Sequence, residues 1–189
     1  SPRAASVRDV EPPQPGGPSR WVLSPVDRRE RMKTTQRQRV EGRACIVDAP
    51  SSWTAEHDAS NATAGPMWPD LVLVGPHRGC GPRPRVSISV VESTDALYDA
   101  PGRVWESVQR AHPQAILTSS DVWPHPVWGE GRLVQTARVE QGATLAHDCY
   151  VFVDAERSVR IEVDCALVDL LPLEDQLADI VAHTRPKVA

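Results

Sequence analysis

Phenylalanine occurs once in this chain of 189 residues, lysine twice, and no apolar run approaches 18 residues. Each shortage excludes something. With so little phenylalanine, the interior has to be built from Val, Leu, Ile and some of the six tryptophans. A helix needs about 20 apolar residues to cross a bilayer, and no segment supplies them. The four cysteines (Cys45, Cys80, Cys149 and Cys165) form no C-x-x-C pair and the six histidines are dispersed, so zinc-ligand spacing is missing. Phosphate-cradling loops are absent too: there is no G-x-x-x-x-G-K-S/T, and Gly79-Cys80-Gly81 lacks the downstream glycine and helix of a dinucleotide fingerprint. Ser51-Ser52 and Ser119-Ser120 have no flanking glycines, so the nucleophile elbow of serine hydrolases has no counterpart. No cofactor is expected, and a small hydrolase ranks last among the functions weighed.

Charge is unevenly spread behind a net value of −4. Residues 1–39 carry nine Arg or Lys against four acids, whereas residues 40–189 carry twelve against twenty-one. A basic arm can seek anionic partners. Nine cations dispersed over 39 residues nevertheless make a weak field at physiological salt, so the arm reads as solvated and no nucleic acid is expected. Pro12-Pro13-Gln14-Pro15-Gly16-Gly17-Pro18 suits neither a helix nor a central strand. Residues 1–40 are therefore expected to be a disordered Pro/Arg-rich arm, with at most a short helix over Arg28–Lys33, and 41–189 the folded domain. Without an apolar leader the chain as it stands reads as cytoplasmic, and as exported or envelope-bound if a leader has been removed.

The folded part is patterned for strands, with a helix on either side. Val159, Ile161, Val163 and Cys165 alternate with Arg160, Glu162 and Asp164, the period-two mark of a strand with one buried face. The preceding run, Leu145 to Val153, makes the other arm of a hairpin across Asp154–Ser158. Further strands are expected at Cys45–Val47, Leu71–Val74, Arg85–Glu92, Ala115–Thr118 and Arg132–Glu140, the last turning at Gln141-Gly142. Asp99 can cap a helix with Pro101 in its first turn and Val104, Trp105 and Val108 inward, before Pro113 stops it. Leu173, Leu177, Ile180 and Val181 fall at helical spacing and predict a closing helix over Leu173–Pro186. Strands joined by short turns with helices covering them define an α+β domain on an antiparallel sheet.

Four places in this pattern resemble the PsbP-like superfamily. Cys45-Ile46-Val47-Asp48-Ala49-Pro50-Ser51-Ser52-Trp53 looks like its opening strand, proline and tryptophan. Arg85–Glu92 looks like the strand before its first long helix, Val139–Val163 like its paired strands, and Leu173–Pro186 like its closing helix. The resemblance spans about 145 residues and implies an α-β-α sandwich. The superfamily includes a photosystem II extrinsic subunit, a nuclear Ran-binding protein, chaperones for secreted effectors and actinobacterial LpqN-type lipoproteins. The Arg-, Ala-, Val- and Pro-rich composition points to the last as the nearest analogue, although a lipobox cysteine is absent. None of these motifs is catalytic.

What remains is a set of candidate contacts. Trp123-Pro124-His125-Pro126-Val127-Trp128 is a proline-stiffened stretch whose two tryptophans serve either as core volume or as one wall of a partner groove. Arg78, in the turn His77-Arg78-Gly79-Cys80, reads as a solvated connector or an anion contact. Alternation puts His147 and Cys149 on one side of their strand, a histidine beside a core thiol rather than a metal site. A hairpin turning about Arg157 would set Cys149 opposite Cys165, either as two reduced core thiols or, after export, as a disulfide. The function these features imply is a non-enzymatic binding protein of the LpqN-like kind, holding a protein segment or lipid-like ligand. An effector-associated chaperone or adaptor that dimerises is the alternative.

Overall fold

A computed structural model describes residues 36–56, 69–77, 81–93, 95–154 and 156–187, all within one compact unit, Thr35–Ala189. In chain order the elements are β1 (Arg37–Glu41), β2 (Cys45–Pro50), β3 (Thr54–Glu56), β4 (Leu71–Val74), β5 (Arg85–Glu92), α1 (Ala100–Ala111), β6 (Ile116–His125), β7 (Gly129–Glu140), β8 (Ala143–Asp154), β9 (Arg157–Ala166), α2 (Leu167–Ala182) and β10 (Thr184–Pro186). A 3₁₀ turn over Leu97–Asp99 leads into α1. Seven strands form one antiparallel sheet in the order β3-β4-β5-β9-β8-β7-β6, and β1, β2 and β10 form a small second sheet. The expected α+β sandwich is what the chain adopts.

Alternation decides which side chain meets which layer. Tyr150, Phe152, Val159, Ile161 and Val163 point to the side covered by α2 and the small sheet, where Leu173, Leu177, Ile180 and Val181 meet them. Cys149, Val151 and Val134 point the other way, against Ala100 and Val104 of α1. Burying each large aliphatic residue contributes about 1.5–3 kcal/mol, so the four-residue stripe of α2 is what secures that layer. Trp53, the tryptophan of the opening motif, is fully buried, and its indole N–H donates to Gln176 Oε1 of α2 at 3.0 Å. Gln141 and Gly142, at φ 51° and 81°, make the tight turn between β7 and β8 that their sequence suggests.

Several boundaries differ from the sequence reading, each for a local reason. Strand β1 begins at Arg37, four residues inside the segment expected to be a disordered arm. Its polar pattern, Arg37-Gln38-Arg39-Val40-Glu41, has one buried side chain, Val40, and the strand exists because β2 pairs with it. The Asp70 carboxylate braces that hairpin by accepting from the amides of Arg43, Ala44 and Cys45 at 2.8–3.0 Å. Residues 1–35, Arg78 and Cys80 lie outside the described residues. Helix α2 starts at Leu167, six residues before the reading that began it after Pro172, because Leu170 and Leu173 pack on the core and carry the helix through the proline. The last residues of that reading, Thr184–Pro186, leave the helix and pair with β2.

The cysteine expectation is corrected. Asp154 pairs with Arg157, so Cys149 stands opposite Glu162, and Cys165 opposite Ala146. That is three residues from the register that would join the thiols, and an odd shift turns the two side chains to opposite faces. Both are buried and free. Peptide mapping without reductant will find no Cys149–Cys165 linkage, and neither thiol will be alkylated until the protein unfolds; a linked pair would contradict this register. Ile161→Ala, at a position with no exposure, should cost about 2–5 kcal/mol in a denaturant melt.

Candidate functional site

The register that separates the cysteines brings His147 of β8 directly opposite Asp164 of β9. Both point to the α1 side, at a place where α1 covers β7 and β8 but leaves β9 open. A cleft of about 250 Å³ results. Ser107, Val108, Ala111 and His112 of α1 form its wall, over a floor of Arg138, His147, Glu162 and Asp164. His147 Nδ1 donates to Asp164 Oδ1 at 3.1 Å. Both terminal guanidinium nitrogens of Arg138 lie 3.3 Å from that same oxygen, while its Nε donates to Glu140 at 3.2 Å.

These contacts set the charge states. Burial alone would pull the His147 pKa down, but the hydrogen bond and charge of Asp164, with Glu162 behind it, outweigh burial and hold it above its ordinary value. Burial likewise pushes Asp164 up, and is overcome by His147 and Arg138, which hold its carboxyl below the usual range. The two groups favour each other's charged forms, so a protonated His147 forms an ion pair with Asp164 beneath the helix. Ser107 shares the cleft but makes no hydrogen bond to His147, so no activated nucleophile is assembled among the described residues. The described residues also hold no group of three or more His, Cys, Asp or Glu able to bind a metal.

Trp123, His125 and Trp128 occupy a β-hairpin end rather than a free loop. Trp123, Pro124 and His125 finish β6, and Pro126-Val127-Trp128 turns into β7 at Gly129, whose φ is +73°. His125 is 5% exposed; its Nε2 lies 3.0 Å from the Val181 carbonyl of α2, and its Nδ1 accepts from the amides of Val127 and Trp128 at 3.1 and 3.3 Å. That pattern requires a neutral ring with the proton on Nε2, in keeping with the way burial lowers its pKa. Trp128 stacks on Phe152 with centroids 5.3 Å apart, and Trp123 meets Tyr150 edge-on at 5.1 Å. Gly131 lets the Phe152 ring lie where a Cβ would be. Both tryptophans are half-buried and pack on the core.

Val122 and Val127 beside these rings are exposed, and a second group of exposed apolar side chains lies on α2. Val168 is 82% exposed and Leu171 80%, with Leu167 beside them at 46%, all on the first turns of α2. The sequence carried a signal for this. Leu167-Val168-Asp169-Leu170-Leu171 has too many apolar residues for one helical stripe, so some of them have to face outward.

No family model matches the chain, and no curated protein matches it in sequence. Solved structures do resemble it. Cyanobacterial PsbP (CyanoP) from Synechocystis sp. PCC 6803 superimposes with a TM-score of 0.60 at 11% identity, covering 82% of this chain and 95% of that one. LpqN of Mycobacterium tuberculosis, involved in cell envelope biogenesis, gives 0.55 at 15% identity, over 81% and 91% of the two chains. The Ran-binding protein Mog1p of Saccharomyces cerevisiae gives 0.55 at 14% identity, over 80% and 96%. The class is therefore a PsbP-like fold. At these identities the likeness is one of architecture.

The two histidines titrate with opposite consequences. His147, raised, stabilises the fold fully below about pH 6.5 and loses that contribution as pH rises through its folded value. His125, lowered, destabilises the fold as pH falls below about 6.5, where the unfolded ring takes a proton that the folded one resists. These two histidines therefore act against stability on opposite sides of the histidine range, His125 on the acid side and His147 on the alkaline side. His147→Gln should cost about 1–3 kcal/mol at pH 6 and flatten the alkaline limb; an unchanged limb in thermal melts from pH 6 to 8.5 would count against the ion pair.

Proposed function

We propose that the chain is a non-enzymatic binding protein, an adaptor of the LpqN-like kind that holds a segment of a partner protein. The observation that carries this reading is the exposed apolar turn of Leu167, Val168 and Leu171. Three neighbouring aliphatic side chains turned to water support an interaction site there, since the cores of interfaces are more apolar than the rest of the surface. The fold neighbour Mog1p, a Ran-binding protein, supports a protein as the partner. The cleft under α1 is mostly polar, which favours a protein segment over a lipid-like ligand. Against catalysis stands its pairing of a histidine and a carboxylate without an attached nucleophile. Envelope residence, as for LpqN, belongs to the same reading.

The double variant Val168→Asp/Leu171→Asp tests it. Both side chains are exposed, so the melting temperature should stay within a few degrees of the parent. Partners crosslinked and captured from the native host by the parent protein should be lost at least tenfold by the variant. Equal recovery would place the contact elsewhere and overturn the reading.

A further inference from the structure

The apolar turn of α2 sits in a field of one sign. The helix contains Asp169, Glu174, Asp175 and Asp179 and not a single Lys or Arg. Asp179 is engaged by Arg37 at 2.7 Å and by His183 at 3.3 Å. Glu174 and Asp175 are exposed and make no ion pair among the described residues. They fall three and four positions after Leu171, so the three lie side by side on the helix surface. Asp175 also lies seven positions after Val168, two turns along the same ridge. Asp169 is 8% exposed and Asp148, on the strand beneath, 6%. Pro172 adds a further acceptor. It has no N–H, so the Val168 carbonyl, four residues earlier, lacks its helical donor on the most exposed part of the turn.

A row of apolar residues runs from the start of the helix across the sheet, buried at Cys165 and Ala146 and exposed only at its far end. Ile116, Ala137, Ala146 and Cys165 stand opposite one another in successive strands and share the α2 side. That row crosses the sheet to the point where β9 passes into α2. Ile116 is 62% exposed, and Val139, two residues beyond Ala137 on the same side, 61%. The apolar turn of α2 is thus bordered by carboxylates and by a carbonyl without its usual helical donor, all of them acceptors.

We infer that the partner segment is a basic amphipathic helix, its apolar stripe on Leu167, Val168 and Leu171 and its Lys or Arg side chains on Glu174, Asp175 and the Val168 carbonyl. This rests on the protein-binding reading above and adds the chemistry of the partner. A second copy of the chain is the poorer occupant, because a two-fold contact through this turn would bring together two acidic helices with no Lys or Arg on either. An anionic membrane meets the same carboxylates, on a body with nine more acids than bases between residues 40 and 189.

The test uses the full chain and two fluorescent 18-residue designed helices that share one Leu/Ile stripe. One has Lys on its polar face and the other Glu. In anisotropy titrations at low salt the Lys helix should bind at least tenfold tighter than the Glu helix, and the gap should narrow at 0.5 M salt as screening shortens to about 4 Å. Glu174→Gln/Asp175→Asn should reduce the gap to under threefold, and Val168→Asp/Leu171→Asp should weaken the Lys helix at least tenfold. Equal affinities overturn the inference, as does a preference that survives Glu174→Gln/Asp175→Asn, or binding to phosphatidylglycerol vesicles but to neither helix. If the double aspartate variant loses its captured partners while the two helices bind alike, the charge argument alone falls; if it loses nothing, the binding reading falls with it.

Discussion

The pairing of β8 with β9 governs most of what this molecule can do. Asp154 facing Arg157 sets a register in which Tyr150 meets Ile161 under α2 and His147 meets Asp164 under α1. Strand β8 is buried on both faces over Cys149–Phe152, so a slip of one residue would exchange its two sets of side chains between layers of different shape. Aromatic bulk belongs on the α2 side, where Phe152 fits against Gly131 and Trp128. Small residues belong on the α1 side, where Cys149 and Val151 meet Ala100 and Val104.

The same register divides the chemistry. On one face a buried histidine is kept neutral by its hydrogen bonds and joins the β6–β7 hairpin to the last turn of α2. On the other a histidine faces a carboxylate that raises its pKa, in a cleft beside α1. Surface of a third kind, apolar and ringed with acids, appears where β9 runs directly into α2 without a loop. A helix that begins at the sheet end has no layer beneath its outer first turns, which is why Val168 and Leu171 remain exposed while Leu173, Leu177 and Ile180 do not. Structural interactions account for the two histidines and leave the apolar turn without a partner among the described residues.

Much of the fold was legible because alternation and helical spacing are local. Val159 to Cys165, the Gln141-Gly142 turn and the helix ahead of Pro113 needed no tertiary information, although Asp99 makes no side-chain cap to that helix. What failed was what depends on pairing. The Cys149–Cys165 proximity required knowing where the hairpin turns, and a polar stretch such as Asp154–Ser158 does not reveal which two residues sit at its tip. Strand β1 had no alternation to detect, since only β2 makes it a strand. Trp123 and Trp128 looked like parts of one loop because proline flanks His125 on both sides, yet Pro124 is tolerated in the edge strand β6 that carries Trp123. Asp164 was legible as an outward residue of β9 and illegible as the partner of His147, again for want of the register.

Cross-strand proton contacts in the nuclear magnetic resonance spectrum of the intact protein measure that register directly. Backbone contacts between His147 and Asp164 and between Tyr150 and Ile161 are the predicted result. Contacts between Cys149 and Cys165 in their place would move the histidine away from its carboxylate, exchange the two faces of the central strands, and contradict the site and the binding surface together.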